Sequence, residues 1–422
     1  MTPDEKLAFA RSFPVQIGVD TGKRFHVLVA RGPDGRRTKP HKVLVSRAGF
    51  DATLIQLRAW FPTLMPAQML VGLEFAGHHG FTFAHFLAQA GFPVVNVLPL
   101  HTKRLKEVED NSPLKTDAKD AALICKLVGD GTFVRFPFLT PPYAELRVLT
   151  TQRHRLTVEA VRFKNRLQGL LDLAWPEFFS VMGILRKATP RAVLARWPLP
   201  QDLLAASPRT VARAIHTASR GHISPERIRA LRQSAIDTVA LPSAAPERRL
   251  EIQHLLARWQ LVETQVAELD ARIAALVESC PEARLLTTIP EVSATCAATL
   301  IAEMGTPADY QHPRQVLKLA GMNLIEKSSA TIRGRKRQSK RGRPMLRRQL
   351  FLLAGRWCQA RGRYRQDYLA LLARNGGLKT KAVCAIARKI VPLLLRVMQS
   401  GQPFDDARWQ ARRHARPAVV SA

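Results

Sequence analysis

The first hundred residues alternate between apolar runs of strand length and amphipathic stretches of helix length. Three strand patterns come first, at 14–20, 24–30 and 42–46. Helical and strand patterns then alternate, at 47–61 (helix), 69–74 (strand), 80–91 (helix) and 92–100 (strand), ahead of a further helix. A hairpin meander followed by crossover units builds a mixed sheet flanked by helices. The sequence therefore predicts an α/β domain over residues 1–140.

The middle of the chain changes to the 3–4 spacing of long helices. One helical stretch covers 146–174, where Arg153 interrupts the apolar stripe. A second stretch carries a heptad seam, formed by Ile252, Leu255, Trp259, Val262, Val266, Leu269, Ile273 and Leu276. Such a seam predicts a coiled coil, so residues 141–280 are expected to form a long helical middle domain. Pairing with 146–174 of the same chain and pairing with another subunit both fit the pattern.

Residues 281–400 are expected to form a mostly α-helical third domain, followed by a basic tail at 401–422. The segment 285–305 is typical of a helix, a short turn and a second helix. It resembles a helix-hairpin-helix, a unit that presents backbone N–H groups to phosphates. The usual Gly-x-Gly turn is replaced by Glu291-Val292-Ser293. An acidic residue there weakens the phosphate-binding interpretation and leaves packing as the alternative.

Positive charge dominates the composition. The chain carries 65 Lys and Arg against 33 Asp and Glu, a formal net charge of +32. This excess is far more than solubility requires and indicates a polyanionic partner, most often nucleic acid. Residues 327–366 contain no Asp or Glu. The cations expected to contact nucleic acid there are Arg333, Arg335, Lys336, Arg337, Lys340, Arg341, Arg343, Arg347 and Arg348. An apolar helix follows directly, which favours a folded surface over a basic disordered arm.

The sequence also bears on the compartment. It contains no run of 18 apolar residues, which a transmembrane helix needs, and its first residues lack the apolar core of a signal peptide. The five cysteines are odd in number and far apart, with no zinc-type spacing, which favours reduced thiols. We expect a cytoplasmic bacterial protein, associated with the nucleoid and not with a membrane.

Four carboxylates have the spacing of a nuclease metal site. Asp20 and Glu74 each end a β-branched apolar run, whereas Asp117 and Asp120 lie three apart on one face of a predicted helix. Hard divalent cations prefer oxygen ligands, and phosphodiester chemistry needs such a cation nearby. Taken singly, Asp117 is more simply a helix cap and Asp120 a solvated residue. Taken together, the four predict a site for Mg²⁺, with Mn²⁺ as a substitute.

Ser328 and Ser329 precede the most basic part of the chain. A serine hydroxyl is a weak nucleophile in isolation, but nearby guanidinium groups hold a phosphate and stabilise the charge that develops during attack. By itself, a serine pair before an arginine-rich loop is more simply a polar turn.

Two sets of motifs in one chain resemble the IS-one-ten family of insertion-sequence transposases. The N-terminal set IGVDTGKRFHV, LEFAGHHG, VVNVLPLHTKRL and KTDAKDAALI is similar to the family's RuvC-like DEDD domain, of RNase H-like fold. The C-terminal set IPEVSATCAATLIAEMG, RQVLKLAGMNLIEKSSATIRG, SKRGRPMLRRQL and KAVCAIARKIVPLLL is similar to its second transposase domain. Together the motifs span most of residues 15–400.

The resemblance implies a mechanism. Asp20, Glu74, Asp117 and Asp120 would hold Mg²⁺, and Ser329 matches the family's serine that attacks DNA to form a phosphoserine link. Family members are guided by a structured RNA from their own element, which pairs with donor and target DNA. The expected function is an RNA-guided DNA transposase or recombinase, and the expected assembly is a homodimer or tetramer with a composite active site between subunits.

The chain departs from the family pattern at two positions. Leu324 stands where the family usually has proline, and Ala330 stands where it usually has glycine. A residue other than glycine next to Ser329 restricts the backbone there, which bears on the geometry of the nucleophile and leaves Ser328 as the alternative.

Three other interpretations compete. A junction-resolving nuclease of the RNase H-like class would use the same carboxylates with water and leave no covalent intermediate. GVDTGK also resembles the first phosphate loop of actin-like sugar kinases, but the second glycine-rich loop that they need is absent from the sequence. A non-catalytic architectural protein would tolerate alanine at Asp20 or Glu74. His78 and His79 follow Glu74 and are given no catalytic role.

Overall fold

The structure is a computed structural model that describes residues 1–75, 77–109, 116–136, 138–326, 334 and 336–414, the side chains of 412–414 excepted. Its contacts divide the chain into two units, Met1–Phe138 and Leu139–Ala422. The division lies within two residues of the boundary predicted at 140. The boundary predicted at 280 falls between two helices of the second unit.

The first unit is built on one six-stranded sheet. Its strands are β1 (Val15–Thr21), β2 (Phe25–Arg31), β3 (His41–Leu44), β4 (Met69–Glu74), β5 (Val94–Val97) and β6 (Val134–Arg135). The spatial order is β3-β2-β1-β4-β5-β6. The first three strands form an antiparallel meander, β1, β4 and β5 run parallel, and β6 returns antiparallel to β5. The predicted α/β domain with a mixed sheet is therefore confirmed.

In the described part of the first unit, five helices accompany the sheet. They are α1 (Pro3–Arg11), α2 (Arg47–Trp60), α3 (Phe81–Gln89), α4 (Pro99–Glu109) and α5 (Asp117–Gly129), with a short 3-10 turn at Pro66–Gln68. The prediction of a strand through 92–100 was too long. The strand ends at Val97 and α4 begins at Pro99, since proline at the first position of a helix has no N–H that needs a partner. The helices α1 and α4 and the strand β6 were not predicted.

The two faces of the sheet pack differently. Val15, Ile17 and Val19 of β1 belong to an apolar core that includes residues of α2 and α3. The alternate positions face α5, which lies so close to β1 that a Cβ on Gly18 would clash with the backbone of Ala121 and Cys125. A Cβ on Gly72, the partner of Gly18 in β4, would clash with the side chain of Val128. The absence of side chains at Gly18 and Gly72 therefore allows α5 to pack closely on the sheet.

The second unit is almost entirely helical. Its helices are α6 (Tyr143–Ala174), α7 (Phe178–Met182), α8 (Ala188–Arg196), α9 (Pro200–Ala205), α10 (Pro208–Ser219), α11 (Pro225–Ile236), α12 (Ala245–Ser279), α13 (Pro281–Thr287), α14 (Ala294–Met304), α15 (Pro313–Leu319), α16 (Pro344–Trp357), α17 (Arg365–Arg374), α18 (Lys379–Ser400) and α19 (Asp406–His414). A 3-10 turn lies at Pro307–Asp309, and a two-stranded pair is formed by β7 (Leu324–Ile325) and β8 (Arg337–Gln338). The predicted mostly helical remainder is confirmed.

The seam on α12 packs on α6 of the same chain, which answers a question that the sequence left open. Leu167 and Trp259 share one apolar core, while Leu146 and Ile273 belong to a second, so the two long helices run antiparallel. Arg153, which interrupts the apolar stripe of α6, donates two hydrogen bonds at 2.5 and 2.9 Å to the carboxylate of Asp270 on α12.

The ion pair between Arg153 and Asp270 also determines the charge of the aspartate. The hydrogen bond from Arg153, helped by one from Thr295, lowers the pKa of Asp270 below its usual value. Asp270 is therefore charged at neutral pH, and the Arg153 side chain has a partner across the helix pair. The interruption in the stripe is a specific pairing and not a defect in the seam.

The helix–turn–helix predicted near residue 290 is confirmed in shape. Helices α13 and α14 flank a turn in which Glu291 adopts a left-handed conformation, with a φ of 67°. The Glu291 carbonyl accepts a hydrogen bond from Arg356, and its carboxylate lies 3.8 Å from the guanidinium of Arg363. The turn is thus held by two arginines of its own unit, which agrees with the packing alternative.

The described residues contain neither a candidate membrane-spanning helix nor a disulfide. No helix among the residues that the structure covers is long and apolar enough to cross a membrane. All five cysteines are free, and Cys125, Cys280, Cys296 and Cys358 are buried. Burial raises the pKa of the Cys125 thiol to about 11, which keeps this group protonated and unreactive.

We expect Gly18→Ala to destabilise the first unit by about 1–3 kcal/mol, the usual cost of overpacking, because its Cβ would meet the backbone of α5 and not a flexible side chain. Chemical denaturation followed by circular dichroism measures the loss. The matched control is Gly129→Ala at the end of α5, where a Cβ would make only ordinary contacts. Equal stability of the Gly18→Ala protein and the wild type would contradict the close packing.

Candidate active site and nucleic-acid interface

Asp20 and Glu74 lie side by side at the carboxyl ends of two parallel strands. They are direct partners in the register of β1 with β4. Residues two apart on a strand share a face, so both carboxylates lie on the side of Gly18 and Gly72, the side that α5 covers. Both residues are partly buried. The structure thus brings these two predicted residues together.

The start of α5 lies at the same end of β1. Thr116 caps the helix, since its hydroxyl accepts a hydrogen bond from the N–H of Lys119 at 3.3 Å. The backbone of Ala121 lies over Gly18, two positions before Asp20 on the strand. Asp117 is the first residue of the helix and is exposed, whereas Asp120 is only 9% exposed. The three elements that carry the predicted carboxylates therefore converge on one edge of the sheet.

The carboxylates do not form a complete metal-binding group as they stand. Across the described parts of the chain, no three His, Cys, Asp or Glu side chains are placed to hold a metal ion together. Asp120 instead accepts a hydrogen bond from the ammonium of Lys106 on α4 at 3.0 Å. The donor set fits a hard divalent cation in its oxygen chemistry and in the elements that carry it. In the described residues the Asp120 carboxylate is paired with Lys106.

Two contacts fix the strand end that carries Asp20. The Thr21 hydroxyl donates a hydrogen bond to the Glu74 carbonyl at 2.6 Å, which ties β1 to β4. On the other side, the Nδ1 atom of buried His26 accepts a hydrogen bond from the Gly22 N–H at 3.2 Å. These bonds hold the backbone beside the carboxylates.

His26 is neutral at neutral pH. Its ring packs against Phe50 and Phe83, which also contact each other, and its Nε2 has no hydrogen-bond partner among the described residues. Burial, followed by the charge of His79, lowers the pKa of His26 to about 4. Sequence reasoning missed this residue, because a lone histidine in a strand is more often an ordinary core residue.

Part of the predicted nucleic-acid surface is internal scaffolding. Arg343 donates a hydrogen bond at 2.8 Å to the carbonyl of Glu303 and lies 3.9 Å from its carboxylate. Arg347 donates to the carbonyls of Ala320 at 2.8 Å and Lys340 at 3.4 Å. These bonds hold the start of α16 against α14 and against the end of α15.

Other members of the predicted set face solvent. Lys336, Arg337, Lys340, Arg341 and Arg348 are exposed. Lys336 lies 3.9 Å from Glu326, a separation that carries little energy at an exposed pair. The surface that remains is a short basic strip on β8, the loop after it and α16. Arg333 and Arg335 lie outside the described residues.

The serine candidates also lie outside the described residues. Ser328 and Ser329 fall in the segment between Glu326 and Lys336, whose ends are joined by the pairing of β7 with β8. Close to that pairing, the Ser339 hydroxyl donates a hydrogen bond to the Asn323 side chain at 2.6 Å.

Comparison with protein families places the chain. A family model described as a transposase, of the DEDD and IS110 type, matches residues 17–176. A second model, described as the transposase IS116/IS110/IS902 family, matches residues 283–369. The first match contains the strand-end carboxylates and the second contains the basic segment. The residues between the two matches include the helices α7 to α12.

Two curated relatives have the same extent. The IS110 insertion-element protein of 43.6 kDa from Streptomyces coelicolor is 26% identical over 399 residues, which cover 93% of this chain and 95% of that protein. The IS116 insertion-element protein of 44.8 kDa from Streptomyces clavuligerus is 22% identical over 398 residues, 93% of this chain and 96% of its own length. The chain is thus similar to these proteins over most of its length and theirs.

The two family matches and the relatives define a class, the DNA-processing enzymes known as transposases. Within that class the chain belongs to the IS110 family of insertion elements, written IS-one-ten above. The family resemblance seen in the sequence motifs is confirmed.

We expect the free energy of unfolding of the first unit to depend on pH through the protonation of His26. The native pKa of about 4 lies below the value of 6.5 for the unfolded chain, so the unfolded state binds the extra proton between these values. The free energy of unfolding should therefore fall by up to about 3 kcal/mol as the pH drops from 6.5 to 4. His26→Phe should lose this part of the pH dependence, whereas His78→Gln, at an exposed position, should keep it. Identical pH profiles for wild type and His26→Phe would refute the assignment.

The exposed and internal arginines should respond differently to neutralisation. Arg341→Gln and Arg348→Gln should each weaken nucleic-acid binding and reduce the slope of log affinity against log salt by about 1, with no change in melting temperature. Arg347→Gln should lower stability by about 1 kcal/mol or more, because the carbonyl of buried Ala320 loses a charged donor. Fluorescence anisotropy over a salt series measures the slope, and Arg229→Gln on α11 is the control. An unchanged slope in both exposed variants would contradict the assignment.

Proposed function

We propose that this transposase is RNA-guided and depends on a divalent cation, Mg²⁺ or Mn²⁺, and that it cleaves and exchanges DNA strands through Ser329. The observation that carries the proposal is the register of Asp20 with Glu74 beneath the start of α5. Oxygen ligands from separate elements at one sheet edge suit a hard cation and a scissile phosphate. The strand order and this site favour an RNase H-like, RuvC-like domain.

The residues would divide the chemistry as follows. Asp20, Glu74, Asp117 and Asp120 would hold the cation, which when bound supplies positive charge to the scissile phosphate. The Ser329 oxygen would attack phosphorus as the bond to the leaving deoxyribose oxygen breaks, and the serine proton would pass to that oxygen. Attack by a second DNA end would then free the serine and restore a phosphodiester. Each step exchanges one ester bond for another, so no external energy source is required.

The nucleic-acid partners follow from the charge. A net charge of +32 suits a large polyanionic surface. From the family resemblance we infer that the partners are double-stranded donor and target DNA and a structured guide RNA from the same element. The exposed strip from Lys336 to Arg348 supplies cations at the end of the segment that carries Ser329. The antiparallel packing of α6 on α12 favours a coiled-coil middle, and we propose a dimer or tetramer in which two chains complete each active site.

The decisive experiment looks for a protein–DNA adduct. Wild type purified with its RNA and supplied with matching DNA and Mg²⁺ should give a DNA band that migrates with the protein under denaturing conditions. Ser329→Ala and Asp20→Asn should abolish the band, whereas Ser328→Ala, the matched neighbour, should retain it.

Two outcomes would change the proposal. A band that survives Ser329→Ala and disappears in Ser328→Ala would move the nucleophile by one residue. Cleaved DNA without any adduct in the wild type would favour the junction-resolving nuclease, which uses water and the same carboxylates.

A further inference from the structure

Lys106 forms an ion pair with Asp120, one of the carboxylates of the proposed cation site. Its ammonium lies 3.0 Å from Oδ1 of Asp120, and the two side chains are only 24% and 12% exposed. An ion pair this sheltered is much less screened than one on the surface. Asp120 therefore has a positive partner in the cation-free protein.

The position of Lys106 does not depend on this ion pair alone. Thr102 of α4 is buried, and Leu105 packs against the apolar core that contains Ile124. One turn further on, Glu109 of α4 forms an ion pair with Lys126 of α5. Because these contacts dock α4 on α5, the helix has other anchors when the pair between Lys106 and Asp120 is broken.

A single carboxylate oxygen cannot serve both partners equally. A cation bound by Asp20, Glu74 and Asp120 would use the Asp120 carboxylate, whose Oδ1 Lys106 contacts, and a positive ammonium beside a divalent cation is repelled. Conversely, three carboxylates at one sheet edge repel one another when no positive charge is present. A lysine that neutralises one of them relieves this repulsion in the empty site.

We propose that Lys106 is a placeholder for the cation: it holds Asp120 in the empty site, and the divalent cation must displace it to bind. This inference rests on the proposed cation site and adds a residue that sets its affinity. Lys106 is a positioning residue, since it acts through Asp120 and needs no contact with DNA. The exchange keeps Asp120 paired with a positive charge in both states, so the aspartate side chain need not be rebuilt when the cation arrives.

The test measures cation binding directly, without DNA or activity. The full-length protein is titrated with Mn²⁺, and the loss of the electron paramagnetic resonance signal of free Mn²⁺ gives the dissociation constant. Lys106→Met should bind Mn²⁺ about tenfold more tightly than wild type, the scale of one lost charge-assisted hydrogen bond. Lys106→Gln, which retains a hydrogen-bond donor, is the second variant should the first fold poorly, and it should shift in the same direction.

A matched control and a cycle separate displacement from general repulsion. Lys103→Met removes a positive charge from the same helix, at a side chain that is 76% exposed and 3.9 Å from Glu107, and it should leave Mn²⁺ binding unchanged. In an Asp120→Asn background, Lys106→Met should no longer tighten binding, because the contact between the two side chains is already weakened. Tightening of equal size in that background would overturn the placeholder role.

The outcomes separate the inference from the proposed function. If Asp20→Asn abolishes Mn²⁺ binding while Lys106→Met binds as wild type does, the cation site is right and the placeholder is wrong. If wild type and Asp20→Asn bind Mn²⁺ equally, or if neither wild type nor Lys106→Met binds it, the cation site itself is wrong and the inference fails with it. Tight binding by Lys106→Met that Asp20→Asn removes supports both.

Discussion

The close approach of α5 to the sheet is the constraint on which the candidate site depends. Gly18 lets the backbone of α5 lie directly on β1, and Gly72 leaves room for the Val128 side chain of α5 on β4. That contact places the first turn of α5 at the strand ends, where Asp20 and Glu74 are already paired by register. Residues more than forty positions apart in the chain are thereby held at one edge by packing, independently of any ligand.

Charge serves two purposes in this chain, and burial separates them. Some arginines donate hydrogen bonds to backbone carbonyls of their own unit, namely Arg147, Arg343 and Arg347. These bonds hold α14, the end of α15 and the start of α16 together. Arg341 and Arg348 remain exposed. The large positive excess is therefore not all available to a polyanion. A guanidinium group is well suited to both roles, since its five donors satisfy carbonyls inside the unit as readily as phosphates outside it.

Local pattern predicted the elements well and the tertiary contacts poorly. The alternation of apolar runs predicted β1 to β5 and the heptad spacing predicted α12, because burial of one face leaves a period in the sequence. The same pattern could not choose the partner of α12, nor assign Arg153 to Asp270. It missed α4, whose charged face hides its period, and with it Lys106. Whether a lysine reaches a particular aspartate depends on the path of the chain between them, which no spacing records. The serine pair was found through family motifs and lies outside the described residues.

Anomalous diffraction from crystals grown with Mn²⁺ would show whether carboxylates from β1, β4 and α5 bind one divalent cation, as we propose. We expect a manganese peak at the carboxyl ends of β1 and β4, within bonding distance of Asp20, Glu74 and Asp120, with Lys106 moved away from Asp120. A peak elsewhere, or crystals in high Mn²⁺ with no peak at that edge and Lys106 still on Asp120, would contradict it.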